Sequence, residues 1–496
     1  MFIFVISVFL TVFAFYSYLT WNFDYWRRRR VAGPTPRSYV GTFPKTALFD
    51  KNSNYIEETT EIYKQYFRRH RFIGVFEFRS PKLLVLDPIL VKDIYTKYFK
   101  NFGENSLSDA ITRSADPLFK PNPFIDKLKL WKERRLELAP AYTLLKAKAM
   151  YSAVENACRQ LEHYINGKIE SNQNIVSSKD ICSRVIADIL GNVIFGLDAK
   201  AFDEKSDFVE KSLRMFYTTP YDNIRFIIYT IFPWLRKVYP DQFTSTEFTS
   251  WFKNLFDQAV CLRKQNNISR DDYLNYLIEL RNKKNTPMEV IYAHAYTFFL
   301  DGFETVSYIL GKAVNCLAEN KECQTKLRSE IKTYEHVTFE QLHQMPYLDA
   351  ILNETTRISP FPFPIWKTCT ESIDLTDFDG RSVHIEKGVR IILPINALHS
   401  HPDFYANPEK FDPDRFDEST GGTKKLKDAG VFNPFGNGPR QCLGIKIAIT
   451  EIKAILYTLV NKYEFELEPS DNTPSSPTGM LFFSENNAKL RFKPCL

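Results

Sequence analysis

The sequence predicts a mainly α protein with small β-sheets, built as a single large domain behind an N-terminal membrane anchor. Three observations carry that prediction. The chain opens on an uncharged apolar stretch, Met1 to Phe23. Helical periodicity dominates most of the rest, with strand-like alternation confined to a few short runs. No internal repeat, low-complexity tract or Gly/Ser linker divides residues 45–496. At 496 residues, 44% hydrophobic and 25% charged, the chain is too apolar to be disordered and too long for a small disulfide scaffold.

At about 1.5 Å per residue, the opening stretch is long enough to cross a ~30 Å hydrocarbon core. Asp24, Tyr25 and Trp26 follow, then Arg27, Arg28, Arg29 and Arg30. An interfacial aromatic pair ahead of four fixed charges places the remainder on the cytosolic side. A cleaved signal peptide would need basic residues before the apolar run and a small-residue cleavage site after it, and both are missing. Gly33, Pro34 and Pro36 break any continuing helix and make a short stiff connector. The expected organisation is therefore an anchor at 1–23, a basic proline-containing linker at 24–44 and a catalytic or binding body at 45–496. The sequon Asn267-Ile268-Ser269 would then face cytosol and stand unused.

Within the body, Phe72 to Phe78 and Lys82 to Leu86 alternate like a hairpin, and Arg390 to Pro394 reads as a further short strand. Helical spacing covers 126–140, 145–168, 179–195, 205–217, 246–264, 271–283, 287–318, 339–357 and 443–462. Thr286-Pro287-Met288-Glu289 reads as a capping box with proline at the first helical position. Midway along the helix it opens stand Asp301-Gly302-Phe303-Glu304-Thr305. Glycine inside a helix costs ~1 kcal/mol relative to alanine, and close approach to a cofactor with local opening of the hydrogen-bond ladder supplies a reason for it.

Lys plus Arg at 65 against Asp plus Glu at 59 leaves a formal charge of +6, which argues against a dedicated nucleic-acid binder and suits an acidic docking partner. The eight cysteines are dispersed without a C-x-x-C pair, so neither a zinc ribbon nor a disulfide framework is supported. Such scatter reads as inert thiols in a reducing compartment, with any special cysteine marked by its neighbours. Cys442 is so marked. Phe435-Gly436-Asn437-Gly438-Pro439-Arg440-Gln441-Cys442-Leu443-Gly444 delivers one thiol to the start of an apolar helix. The positive end of the helix dipole and the amides of a turn should lower its pKa and present it as an axial metal ligand. Gly438 and Gly444 allow tight turning and close approach of a flat macrocycle, and Arg440 can pair with an acidic group near the ligand.

These residues resemble the cysteine-ligand signature F-x-x-G-x-R-x-C-x-G of the cytochrome P450 family of haem-thiolate monooxygenases, matching at all five fixed positions. Other stretches resemble the family in its own chain order. Glu354-Thr355-Thr356-Arg357 is similar to E-x-x-R, and Pro413-Asp414-Arg415-Phe416 to P-E-R-F, with aspartate for the usual glutamate. Together they imply a buried triad of Glu354, Arg357 and Arg415 holding the meander before the cysteine loop. Trp131-Lys132-Glu133-Arg134-Arg135 is similar to W-x-x-x-R, and Asp301 to Thr305 to [AG]-G-x-[DE]-T.

The resemblance implies the cytochrome P450 fold and haem b (iron protoporphyrin IX) held by Cys442, with Trp131, Arg135, Phe435 and Arg440 around the cofactor. Lys367 stands where the family usually has another propionate-binding arginine; it keeps the charge and loses the bidentate fork. Thr305 and Glu304 would organise water and deliver protons to dioxygen. Asp301 departs from the pattern and lies one turn before Thr305, on its face. In one related animal branch an acid at this position becomes ester-linked to haem. Asp301 is therefore expected to form such a link, to bind a basic substrate or to turn aside to a neighbouring donor.

The implied reaction inserts one atom of O2 into a lipophilic substrate, for example a xenobiotic, insecticide, steroid or fatty acid. Electrons would come from an NADPH-dependent flavoprotein reductase, with cytochrome b5 a further partner, at the endoplasmic reticulum membrane. Arg440, Lys446 and Lys132 would offer it positive charge, and no nicotinamide or flavin fingerprint occurs in this chain. Substrate walls carried over by position are 103–122, 205–245, 294–305, Phe361 to Ile365 and the turn near Met480 to Phe483. The pattern most resembles animal microsomal, insect-like members. Two rivals are a haem-thiolate isomerase or dehydratase, which often lacks the acid-threonine pair, and a haem sensor, which would need a second ligand. His294, the one histidine on the long helix, stands three turns from Thr305.

Overall fold

The computed structural model describes residues 2–47, 54–106, 116–216, 220–232, 234–240, 242, 244–334, 337–360, 365–469 and 488–495. Of the expected substrate walls, 107–115, 361–364, the turn near Met480 and parts of 205–245 lie outside these residues.

The apolar stretch forms the helix Phe2–Thr20, with mean hydropathy 2.2 and only Leu19 buried. Length and composition allow it to cross a membrane. Its end rests on the body: Tyr18 stacks on Phe232 at 5.7 Å and donates to the Ile231 carbonyl at 3.1 Å. The stretch expected as a short stiff linker packs against the body. Trp26 is buried, its Nε1 donating to the Val75 carbonyl at 3.2 Å, and Arg29 pairs with Glu386 at 2.7 Å. A Cβ on Gly33 would fall inside the Gly74 carbonyl, so the chain lies directly on the sheet.

The helical core gathers around Met288–Glu319, which packs most extensively against Ser178–Leu190 and also against Ile445–Lys462 and Pro346–Ile358. Amphipathic spacing explains the layer. In Leu144–Glu170, Val154, Ala157, Cys158, Leu161 and Ile165 form one buried stripe, while polar residues cover the other face. Side chains at the helix starts satisfy free amides: Thr143 accepts from Lys146, Ser177 from Asp180, Ser245 from Phe248 and Asp272 from Asn275.

Three helical expectations change. Thr286 does not cap the long helix: Pro287 itself occupies the cap position, with φ −55° and ψ 144°, and no side chain reaches the first amides. Thr286 lies one residue too early. The expected helix 339–357 is two, Phe339–Leu342 and Pro346–Ile358, because Pro346 has no N–H to continue the first and suits the first turn of the second. The span 179–195 widens into a π-turn at Gly191–Phe195, where a Cβ on Gly191 would crowd that of Ala199 at 2.8 Å.

The hairpin exists as Phe72–Glu77 and Ser80–Val85, paired antiparallel with Phe72 opposite Val85. Ser80–Val85 continues parallel to Arg390–Leu393, and Ile365–Thr368 and Glu104–Asn105 complete a five-stranded sheet. In that last pairing Asn105 lies opposite Lys367. A three-stranded sheet joins Ile175–Ser177, Lys489–Pro494 and Tyr463–Leu467, and a two-stranded ribbon joins Ile373–Thr376 to Ser382–Ile385. Mainly α with small sheets is the observed class.

Candidate active site

The cysteine loop is shaped by its own backbone. Gly436 and Gly438 have φ of +70° and +67°, and a Cβ on Gly438 would fall inside the Tyr95 carbonyl. The Asn437 side chain accepts from the Gly438 amide at 2.7 Å, and the Cys442 amide donates to the Phe435 carbonyl at 2.9 Å. The following helix is Ile445–Lys462, so Cys442 stands three residues before its first helical residue.

The Cys442 side is open to solvent-sized space, yet the thiol sits deep enough for burial to dominate its acidity. A group with both properties lines an internal cavity. Burial pushes its pKa up to about 11; the Gly444 and Ile445 amides and Arg135 pull it down, and Asp301 pushes it up. The lowered pKa expected from the helix dipole is thus overturned for the protein alone, because two amides do not offset the loss of water. Coordination to a metal cation is what ionises such a thiol.

Asp301 and Thr305 sit in the middle of the long helix, one turn apart, and both are open while Ala293 to Leu300 are buried. Burial pushes the Asp301 carboxyl up to about 7. It lies within electrostatic reach of Cys442, Tyr142, Tyr273 and Tyr296, so the acid and the thiol share one interior region. The Thr305 hydroxyl donates to the Asp301 carbonyl. That back-bond lies within an unbroken helix, so the expected opening of the ladder does not occur. Glu304 is buried, not solvated, and loss of water pushes it up to about 7 against the pull of Lys179. Gly302 faces the packed neighbour: its Cβ would meet Leu190 at 3.4 Å. Its place is the helix–helix contact and not a cofactor.

A cluster of cations flanks the thiol. Arg135, half-buried on Leu128–Leu138, is within electrostatic reach of both Cys442 and Arg440. The Arg440 guanidinium lies 4.6 Å over the Trp131 ring and donates to the carbonyls of Asp126 at 2.6 Å and Pro123 at 3.3 Å. Its Nε is buried with no partner among the described residues. Arg440 thus donates to carbonyls, with the acids Glu104 and Asp126 within electrostatic reach, while Lys132 and Lys446 are exposed. Lys367 is 4% exposed and donates to Asn105 Oδ1 at 2.8 Å. Burial, then the nearby Arg440, pushes it down to about 7. An accessible thiol beside converging cations with an unused buried donor fits a flat, anionic iron porphyrin.

The triad supports the loop from behind. Arg357 donates twice to Glu354, Nε at 2.6 Å and Nη2 at 2.8 Å, and both side chains are fully buried. Arg415 Nε reaches the same carboxylate at 3.3 Å. The remaining Arg357 donors bind the carbonyls of His399 at 2.8 Å and Pro408 at 2.7 Å, tying the meander down. Asp414 points away to Lys326, so its departure from glutamate costs the triad nothing. His294 is fully buried and faces Glu137 at 3.8 Å.

Four residues escaped sequence reading. Asn105, which receives Lys367, sits on a strand of two residues, too short for any periodicity. Asp126 and Arg134 form an ion pair at 2.9 Å beside the Arg440 carbonyl contacts, and nothing in the intervening residues marks them as partners. Tyr142 closes the 3-10 turn after the Trp131 helix and lies within reach of both Cys442 and Asp301; an aromatic directly after that helix was the available signal.

A family model described as Cytochrome P450 matches residues 31–492. The chain is 34% identical over 477 residues to "Probable cytochrome P450 28d1" of Drosophila melanogaster, covering 94% of this chain and 93% of that one. It is 29% identical to "Probable cytochrome P450 309a2" of the same fly, covering 98% and 91%, and 29% identical to "Cytochrome P450 6k1" of Blattella germanica, covering 93% and 90%. Because the match runs from beyond the apolar helix into the last strand, the chain belongs to the cytochrome P450 family, insect-like in its relatives, and is a haem-thiolate monooxygenase.

Proposed function

We propose that this protein inserts one atom of O2 into a lipophilic organic substrate, a xenobiotic, insecticide, steroid or fatty acid, while the other atom leaves as water. The observation that carries the reading is the accessible Cys442 thiol within electrostatic reach of an accessible Asp301, deep in the helical body. Haem b bound through Cys442 supplies the oxidising chemistry, and its thiolate ligand favours O–O cleavage.

The chain's own residues bind, orient and move protons. Arg135 and Arg440 would hold the cofactor's carboxylates, with Trp131 under the Arg440 guanidinium, Phe435 closing the ligand loop and Lys367 adding charge from the sheet. The Thr305 hydroxyl spends its proton on the Asp301 carbonyl, which leaves its oxygen lone pairs free to accept from water on the distal side. Glu304, held near pKa 7, populates both protonation states at neutral pH, as a proton relay requires.

Electrons come from an NADPH-dependent flavoprotein reductase, with cytochrome b5 as a second donor, docking by the exposed Lys132 and Lys446. Residues 1–23 anchor the chain in the endoplasmic reticulum membrane, 24–44 connect, and 45–496 form the catalytic domain facing the cytosol; the apolar first helix and the four arginines behind it support this.

Reduced protein under carbon monoxide should show the red-shifted thiolate Soret band, and Cys442→Ser should lack it. NADPH consumption with purified reductase should require a lipophilic substrate. A Cys442→Ser protein that keeps the band, or consumption indifferent to added substrate, overturns the reading.

A further inference from the structure

We infer that the imidazole of His399 is a positioning residue for the metal ligand: it carries the rigidity of the buried Glu354–Arg357 pair into the cysteine loop and so holds the Cys442 sulfur in place as a thiolate ligand. The inference rests on the haem-thiolate assignment above and concerns a residue outside every motif described so far.

His399 ends the short helix Ile395–His399 and is fully buried. It is bonded on both sides. Its carbonyl accepts from Arg357 Nη1 at 2.8 Å, and its ring Nε2 accepts from the backbone amide of Asn433 at 3.0 Å. Because that second partner is a backbone N–H, Nε2 must be the unprotonated ring nitrogen, and Nδ1 carries the proton. Burial, then the Arg357 guanidinium, favours this neutral form and pushes the ring's pKa down to about 3, so the acceptor persists at neutral pH. Phe432 lies against the ring with centroids 5.4 Å apart, and Phe416 against Phe432 at 4.8 Å, which holds the imidazole from the side as well.

From Asn433 the path to the ligand is short and runs through hydrogen bonds. The Asn433 carbonyl accepts from the Gly436 amide at 3.1 Å, closing the turn through Pro434 and Phe435. The Phe435 carbonyl in turn accepts from the Cys442 amide at 2.9 Å. Tyr405 adds a tie, its hydroxyl donating to the Val431 carbonyl at 3.1 Å, but that bond stops short of Asn433 and reaches no amide of the turn. The imidazole therefore joins the triad's arginine directly to the turn that sets Cys442. Asn433 is 5% exposed, so without an acceptor at Nε2 its amide is left unpaired in a buried position. The turn relieves that cost by shifting, and a shift at Phe435 moves the cysteine bonded to it.

The test uses the full-length holoenzyme and two variants. A glutamine side chain reaches the Nε2 position with an oxygen that accepts, whereas an asparagine stops at the Nδ1 position. The reduced protein under carbon monoxide is read, at equal haem content, for the ratio of the unshifted Soret band, the mark of haem without its thiolate, to the red-shifted one. That ratio should rise several-fold in His399→Asn and stay near wild type in His399→Gln. Deuterium uptake by the segment Val431–Pro434, whose last amide is that of Asn433 because proline has none, should quicken in His399→Asn and not in His399→Gln. A histidine that serves stability alone would lower the thermal midpoint of both variants and leave the band ratio unchanged, and that result overturns the inference. So does a His399→Gln protein as impaired in band ratio as His399→Asn. If His399→Asn does not fold, wild type and His399→Gln decide: rapid uptake at the Asn433 amide of wild type, or a raised unshifted band in His399→Gln, overturns it. Absence of the red-shifted band from wild type would instead sink the haem-thiolate assignment itself.

Discussion

Arg134 brings its Nε to 2.9 Å from Oδ2 of Asp126, whose side chain is 2% exposed. The N–H is not aligned on that oxygen, so this is a contact of charges more than a hydrogen bond. Burial still outweighs the attraction of Arg134 and Arg440 and pushes Asp126 up to about 6. The pair joins the helix carrying Trp131 and Arg135 to the turn whose carbonyls receive Arg440, and so fixes two sides of the cation cluster against each other. Removing Arg134 strands a buried carboxylate, a defect that costs about 3–5 kcal/mol, whereas Asp126→Asn leaves no charge behind except the partly exposed guanidinium. Haem transfer to excess apomyoglobin should therefore accelerate several-fold in Arg134→Ala and less in Asp126→Asn. Equal rates in all three proteins would refute the clamp.

Gly438 and Gly444 flank the cysteine for different reasons. A Cβ at 438 would collide with the Tyr95 backbone at a φ that side chains avoid, while at 444 it would rest 3.9 Å from the Tyr142 ring at an ordinary φ of −81°. Gly438→Ala should fail to accumulate as folded protein. Gly444→Ala should fold, so a weakened Soret band there would report crowding of the cofactor itself. Circular dichroism and haem content measured on both variants separate the two effects; a folded Gly438→Ala protein with full haem would contradict this account.

Gly302 makes a third case. The long helix has room for a methyl group against Leu190, and alanine is the better helix former by ~1 kcal/mol. Gly302→Ala should raise the thermal midpoint by about 1 °C. A lowered midpoint with normal haem content would mean that the Leu190 contact is tighter than 3.4 Å allows.

How far the site could be read from the chain depended on whether chemistry was local. The cysteine loop and the aspartate-to-threonine run were legible because each is carried by residues close in sequence, whereas the triad came through the family resemblance, since Arg415 joins Glu354 across 61 residues. Asn105 and Lys367 are 262 residues apart and meet only through strand pairing, which no local pattern encodes. The Cys442 pKa was misread because amides and dipole are local while desolvation depends on the whole surrounding body. Gly302 was assigned to the wrong neighbour because helical periodicity gives faces but not what each face meets.

Glu451, on the helix that follows the cysteine, supplies a prediction in pH. It is 3% exposed, and burial alone pushes its carboxyl from the ordinary range up to about 8. In the unfolded chain the same group ionises near pH 4.5. Between those values the folded state holds the proton more tightly, so the unfolded state binds fewer protons and stability falls as pH rises. The penalty is absent below about pH 4, grows through the window and levels off once the folded group ionises, above about pH 8. Glu451→Gln has no such titration. Its thermal midpoint should lie near wild type at pH 5 and progressively above it towards pH 8, with no further divergence at pH 9. A midpoint difference that stays flat from pH 5 to pH 9 would show that water or a cation reaches this carboxylate.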